Sequence, residues 1–194
     1  GNDPERVDYA QIYNTRFSVL EKAVRRIPDV QPEDYMKFLQ KNAYWLNDYA
    51  LFMAEKDDHD GKAYIFWQED IRKHRTEVLE KERVRLADRV RFYVGIQYLF
   101  FHQWQKMREY ASLHGVRLIG DVPIYVSADS SDIWGNPHLF QLDENLKPTG
   151  VAGCPPDAFS DDGQLWGNPL YDWERMKEDG YTWWVNRVRY QLEF

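Results

Sequence analysis

The first half of the chain has the hydrophobic spacing of amphipathic helices. Apolar side chains keep to one helical face over residues 5–27, and Pro28 ends that pattern. The proline and acidic residues at 31–34 are a helix start signal, and they predict a second helix that runs to about residue 40. A third helix is predicted over 44–54, where apolar residues on nearly every side indicate burial.

Helical spacing continues over residues 69–114 and predicts two helices that meet between residues 86 and 95. Gly115 then supplies a stop signal. Residues 116–122 are the only convincing β-strand in the pattern, because they are short, apolar and follow a helix that ends on glycine. One strand cannot form a sheet, so we expect it to pair with another segment or a second copy of the chain, or to be distorted.

Residues 153–171 break both periodicities. Their proline, glycine and aspartate content disfavours a helix and a central strand alike. The run also carries large aromatic side chains, namely Phe159, Trp166 and Tyr171. Because aromatic residues are depleted in disordered segments, the run predicts an ordered irregular loop that presents rings, amides and carboxylates to a ligand. Two further helices are predicted over 172–178 and 181–194.

Composition narrows the classes of partner. The 194 residues carry a net charge of −7, which disfavours nucleic acid as a partner. The single cysteine, Cys154, cannot form an internal disulfide and fits a reducing compartment. No apolar run approaches the roughly 20 residues of a membrane span, and the first residues lack the apolar core of a signal peptide. We therefore expect a cytoplasmic protein without a membrane partner. The histidines lack the spacing of a metal site, so neither a metal nor a cofactor is expected.

Three motifs carry a family resemblance, and the two longer ones are highly specific together. They are WLNDYALF at 45–52, LIGDVPIYV at 118–126, and PPDAFS followed by GQLWGNPLY within 155–171. Together they resemble the 4-α-glucanotransferases, also called amylomaltases or disproportionating enzymes. The similarity runs from about residue 44 to residue 194, and residues 1–43 fit only loosely, as helices upstream of it.

The resemblance implies an α/β fold, a (β/α)₈ TIM barrel with an inserted helical subdomain. This chain would be a fragment of that fold and predominantly helical by itself. Residues 1–94 would form the helical insert. Residues 95–194 would form a partial barrel segment with one barrel strand and a long loop that covers the active site.

The resemblance also implies transfer of α-1,4-glucan segments between maltooligosaccharides by a retaining mechanism. One carboxylate attacks the sugar and a second gives up and recovers a proton. The family's nucleophile is an aspartate in an Arg-Ile/Leu-Asp-His motif, which this sequence does not contain. The nucleophile and the acid/base are expected beyond Phe194. We therefore expect no catalytic residue in this chain and no activity from it alone.

Candidate sugar-binding residues follow from chemistry and from the resemblance together. Asp121 would lie at the C-terminal end of a barrel strand, where barrel active sites are built, or it would cap the following loop. Tyr125 and Asp129 follow closely and would face the same cleft, whereas Tyr171 is expected to pack. In the loop, amides and carboxylates can bind sugar hydroxyls and rings can cover sugar faces. The predicted substrate-binding residues are Asp121, Tyr125, Asp157, Phe159, Gln164, Trp166 and Asn168. The loop has Ala158 where some relatives have tyrosine, so one ring contact would be missing.

Two other functions stay open from the sequence. The chain could be a non-catalytic module for glucan binding or assembly, or part of a hydrolase in which water replaces the acceptor sugar. The expected partners are an α-1,4-glucan or maltooligosaccharide and a second copy of the chain, which would associate through the unpaired strand.

Overall fold

The computed structural model describes residues 5–27 and 33–193, and helices dominate this part of the chain. The helices are α1 (Tyr9–Arg25), α2 (Glu33–Asp58), α3 (Glu69–Arg72), α4 (Thr76–Arg85), α5 (Ala87–Leu113), α6 (Ser131–Gly135), α7 (Trp173–Glu178) and α8 (Thr182–Glu193). Two 3₁₀ turns cover Tyr64–Phe66 and Pro137–Leu139, and two strands cover β1 (Val151–Cys154) and β2 (Gln164–Pro169). The predicted helix stop at Pro28 and the first residues of the 31–34 start signal lie outside the described residues.

Most helix predictions are confirmed, but the first of the two helices predicted over 69–114 is interrupted at residues 73–75, where His74 has a φ of +53°. The joint predicted between residues 86 and 95 is at Leu86, between α4 and α5. The two helices predicted within 31–54 are instead one continuous helix, α2, of 26 residues. No glycine or proline lies between the two predicted helices, and the polar Asn42 is accommodated within the packing. Its buried side chain donates to the Phe38 carbonyl at 2.8 Å and accepts from Trp45 Nε1 at 3.0 Å, so a polar residue is satisfied inside the helix packing.

The predicted strand at 116–122 is not a strand in this structure. The segment is irregular, and the Ile119 side chain is 98% exposed. No strand lies beside it in the described residues, so its backbone has no ladder to join. This agrees with the expectation that a lone strand would be distorted. Pairing with a second copy of the chain stays a prediction.

The run predicted as a wholly irregular loop contains the two strands that the structure does have. Strands β1 and β2 pair antiparallel, with Gly153 opposite Leu165. A Cβ at Gly153 would lie 2.2 Å from the Gln164 carbonyl oxygen, so this glycine permits the close approach of the two strands. Gly163 has φ +71° at the turn before β2. The prediction was wrong because it treated these glycines as signs of irregular backbone.

Two apolar cores meet along α2. The first lies between α1, α2 and α5 and includes Leu46, Ala50 and Phe92. The second joins the C-terminal half of α2 to α6 and to residues after β2, and includes Trp134 and Tyr171. The predicted division between residues 94 and 95 falls inside α5, which packs against α1, α2 and α4. That division stays a prediction.

A buried charge cluster lies where α2 meets α4. Glu55 has no exposed surface, and within the described residues neither of its carboxylate oxygens has a hydrogen-bond partner. The Oε2 atom lies 3.5 Å from His59 Nδ1 and 3.8 Å from Arg85 Nη2. Burial, together with the nearby Glu82 carboxylate, raises the pKa of Glu55 to about 7, against the opposing effect of Arg85 and His59.

The same cluster contains a set of side chains with the geometry of metal ligands. One ligand atom each from Glu55, Asp58 and His59 lies within 4.8 Å of the others. The Arg85 guanidinium binds Asp58 at 2.8 Å and Glu82 at 2.5 Å, so a cation already balances part of the negative charge. Glu55, Asp58 and His59 lie at i, i+3 and i+4 at the end of α2, so the grouping is local in the sequence, and a search limited to histidine spacing missed it.

Replacing Gly95 with alanine is expected to destabilise the first core. A Cβ on Gly95 of α5 would lie 2.5 Å from Val24 Cγ1 of α1. Alanine in a helix normally gains about 1 kcal/mol over glycine, so a net loss of about 1–3 kcal/mol of unfolding free energy would identify the steric clash. Urea denaturation measures it. In a Val24→Ala background, Gly95→Ala should lower the unfolding free energy by less than it does in the parent. An equal loss in both backgrounds would contradict the close packing.

Replacing Glu55 with glutamine is expected to stabilise the protein at alkaline pH. Between pH 4.5 and pH 7 the unfolded chain loses the Glu55 proton while the folded protein keeps it, so the parent's unfolding free energy falls as pH rises through this window. The Glu55→Gln variant lacks this loss. The difference in unfolding free energy between variant and parent should therefore be about 1–3 kcal/mol more favourable to the variant at pH 8 than at pH 5. Exposed Glu80 on α4 provides the control, Glu80→Gln. Equal pH profiles for parent and Glu55→Gln would contradict a raised pKa.

Candidate functional site

The segment 121–126, which carries two of the predicted site residues, is held by side chains. Asn168 Nδ2 donates to the Val126 carbonyl at 2.7 Å, and Tyr171 Oη donates to the Ile124 carbonyl at 2.8 Å. The Arg187 guanidinium donates to the Pro123 carbonyl. Further along, Asp129 accepts from the Tyr64 backbone N–H at 3.1 Å and pairs with Lys56 at 2.5 Å, which anchors the following residues to α2.

Aromatic rings bring Tyr125 and Trp166 together. The Tyr125 ring stacks on buried Tyr171, with centroids 5.8 Å apart and an interplanar angle of 14°. Its centroid lies 6.3 Å from that of Trp166. Trp166 Nε1 in turn donates to Gln164 Oε1 at 3.0 Å on the same side of β2. Three of the predicted residues thus form one continuous group of side chains.

The turn between β1 and β2 carries two more of the predicted residues. Asp157 Oδ1 accepts from the backbone N–H groups of Phe159 and Ser160, at 2.8 and 2.9 Å. These bonds are those of an Asx turn, so the Asp157 carboxylate stabilises the turn. The Phe159 ring is 95% exposed, so it projects into solvent from this Asx turn.

Not all the predicted residues come together. Asp121 is exposed and lies just before the segment held by Asn168, Tyr171 and Arg187. Across residues 5–27 and 33–193, no hydrogen bond or ring contact joins Asp121, Asp157 or Phe159 to the Tyr125–Trp166 group. The structure therefore shows one assembled group, one exposed carboxylate and one exposed turn.

Arg187 of α8 belongs to this region, and sequence reasoning missed it. Its guanidinium carbon lies 5.0 Å from the ring centroid of Trp183 and 5.3 Å from that of Trp184, and its Nη1 donates to Tyr171 Oη at 3.4 Å. Burial raises the pKa of Tyr171, while Arg187 opposes the shift. The available signal was the Trp-Trp pair followed by an arginine within one helical turn.

A cleft of about 540 Å³ lies on the α2, α6 and α8 side of this region. Asp132 lines it, accepts from Trp183 Nε1 at 3.3 Å, and has a pKa raised by burial against the effects of Trp183 and Arg187. None of the seven predicted sugar-binding residues lines this cleft. They lie instead on an open surface formed by the hairpin and segment 121–126. Within the described residues, no helix is long and apolar enough to span a bilayer.

Comparison with known proteins agrees with the motifs. The family model described as 4-alpha-glucanotransferase matches residues 1–194. The chain is 49% identical over 191 residues to a Streptococcus pneumoniae protein of that name, and the match covers 97% of this chain and 38% of the relative. A Clostridium butyricum protein of the same name is 41% identical, with 100% of this chain and 40% of that protein covered.

A solved structure is similar over the whole chain. It is an amylomaltase from Streptococcus agalactiae in complex with acarbose, with a TM-score of 0.90 and 42% identity, and the match covers 100% of this chain and 39% of that one. The likeness confirms the predicted fold class, a predominantly helical fragment of a (β/α)₈-barrel enzyme. The chain spans about two fifths of the length of these relatives. On the family match and these identities, the chain belongs to the 4-alpha-glucanotransferase family.

Proposed function

We propose that this chain supplies part of the glucan-binding surface of a 4-α-glucanotransferase. The whole enzyme would transfer α-1,4-glucan segments between maltooligosaccharides. The observation that carries the proposal is the group formed by Tyr125, Gln164 and Trp166, in which two rings and an amide lie side by side on an open surface. Pyranose rings have apolar faces and polar rims, so rings next to amides suit them.

Exposure of the aromatic residues supports a binding role. Phe159 is 95% exposed and Trp166 is 47% exposed, so packing accounts for little of the first ring and only half of the second. Contiguous apolar patches in contact with water are typical of surfaces that bind a partner, and the Trp166 ring lies beside that of Tyr125. The similar Streptococcus agalactiae amylomaltase was solved in complex with acarbose, which supports a ligand of that chemical class for this chain.

For the reaction, we propose a retaining double displacement in which the two carboxylates come from outside these 194 residues. The sequence contains neither Arg-Ile-Asp-His nor Arg-Leu-Asp-His. The residues of this chain would bind and orient the glucan, and the hairpin would exclude water in favour of an acceptor sugar. A cytoplasmic location also stays a proposal, supported by the single cysteine. So does self-association through residues 116–122, supported by the exposed Ile119.

A chimera tests the proposed activity. The 191 matched residues of the Streptococcus pneumoniae relative would be replaced by this chain, and maltotriose disproportionation measured. We expect the chimera to be active and its Asp121→Ala variant to lose roughly 10- to 100-fold in kcat/KM, the cost of one charged hydrogen bond to substrate. Asp162→Ala, an exposed aspartate in the hairpin turn, is the control. A folded but inactive chimera would count against the transferase proposal.

Binding by the 194-residue chain tests the surface directly. We expect acarbose to bind in calorimetry without turnover of maltotriose by the chain. Trp166→Ala and Phe159→Ala should each weaken binding roughly 5- to 50-fold, because each removes a ring that stacks on sugar. Leu192→Ala on α8 is the control, since Leu192 is 81% exposed and lies outside the surface. Binding without activity in the chimera would favour the non-catalytic module. Unchanged affinity in both ring variants would contradict the assigned surface.

A further inference from the structure

The structure assigns a positioning role to three side chains, Asn168, Tyr171 and Arg187. We propose that they form a clamp that holds residues 123–126 and thereby presents the Tyr125 ring to substrate. The inference rests on the proposed function for its effect on the reaction, but the clamp itself is a property of this chain. Asn168, which the sequence predicted to bind sugar, then acts through Tyr125.

The clamp replaces the hydrogen bonds that a sheet would provide. In the described part of the chain, no backbone–backbone hydrogen bond involves residues 117–129. Three carbonyls in four residues, those of Pro123, Ile124 and Val126, instead accept from side chains. A backbone carbonyl outside regular secondary structure bonds to water or to a side-chain donor. Here one donor lies in β2, one lies just after it and one lies in α8.

The donors are themselves held in place. Tyr171 is 1% exposed and packs against Phe140, Trp183 and Trp184, so its hydroxyl has a defined position. Arg187 lies over the two tryptophans and uses one nitrogen for the Pro123 carbonyl and another for Tyr171 Oη. The bonds run from Arg187 to Tyr171 Oη and from Tyr171 Oη to the Ile124 carbonyl. Donation by a cation polarises the tyrosine hydroxyl and strengthens its own donation.

The geometry converges on Tyr125. The carbonyls immediately before and after it in the clamp, at Ile124 and Val126, are both bound. Its ring rests on Tyr171, and Trp166 lies to one side at 6.3 Å between centroids. Backbone and ring are thus restrained at once, and the restraint comes from elements 42 to 64 positions further along the chain. A preorganised ring costs less to order when sugar binds.

Proteolysis tests the clamp without any ligand. Chymotrypsin cleavage after Tyr125 in the 194-residue chain would be followed by mass spectrometry. We expect Arg187→Met and Tyr171→Phe to be cleaved there roughly tenfold faster than the parent, because each removes a donor to the segment. Arg187→Lys keeps the charge but loses the forked geometry, so its cleavage rate should lie between those of the parent and Arg187→Met. Arg189→Met is the matched control, since Arg189 on the same helix bonds to the Asn186 side chain.

A double-mutant cycle tests the effect on the reaction. In the chimera, Tyr171→Phe should lower kcat/KM roughly tenfold when Tyr125 is present and less than twofold in a Tyr125→Ala background, because a positioning residue loses its effect with its target. Thermal unfolding of each variant controls for stability. Unchanged cleavage after Tyr125 in both clamp variants would overturn the clamp, whether or not the chimera is active. Additive losses would overturn its action through Tyr125. If the chimera is inactive but the clamp variants of the 194-residue chain are cleaved faster, the clamp is supported and the transferase proposal is not.

Discussion

A backbone carbonyl outside a helix or a sheet bonds either to water or to a donor from elsewhere in the protein, and three carbonyls within residues 123–126 have protein donors. Their donors are an amide, a phenol and a guanidinium from positions 42, 47 and 64 residues away. The segment therefore keeps its path only while the hairpin, Tyr171 and α8 lie beside it. The candidate sugar-binding group depends on the same contacts, because Tyr125 is part of residues 123–126 and Trp166 is part of the hairpin.

The helical part of the chain supplies a rigid base for this arrangement. Helix α2 packs in both apolar cores, and Asp129, which follows the held segment, bonds to Lys56 near its end. The contact between Gly95 and Val24 brings α1 and α5 close together. At the junction of α2 and α4, a fully buried Glu55 shares its surroundings with Glu82, Arg85 and His59. The charges in this cluster are therefore coupled, because burial and Glu82 oppose ionisation of Glu55 while Arg85 and His59 favour it.

Burial divides the many aromatic side chains into two groups. The chain contains 8 tryptophans and 13 tyrosines, and a composition of this kind would suit either a core or a binding surface. Trp134 and Tyr171 are almost wholly buried, with the indole of Trp134 donating to the Ile71 carbonyl at 2.8 Å. Phe159 and Trp166 are exposed on the hairpin. The same residue types thus build the base and provide the surface that we propose for sugar.

Local information in the sequence determined most of the helices, the joint near Leu86 and, through three motifs, the family. Hydrophobic spacing works for helices because their hydrogen bonds join residues four positions apart. Only the tertiary structure decided that Gly153 marks a strand pair, that residues 116–122 have no partner here, and that Asn168, Tyr171 and Arg187 share one segment. Each of these depends on which backbone groups come within about 3 Å of a donor or a neighbouring strand. That proximity links positions far apart in the chain, so no spacing along the sequence encodes it.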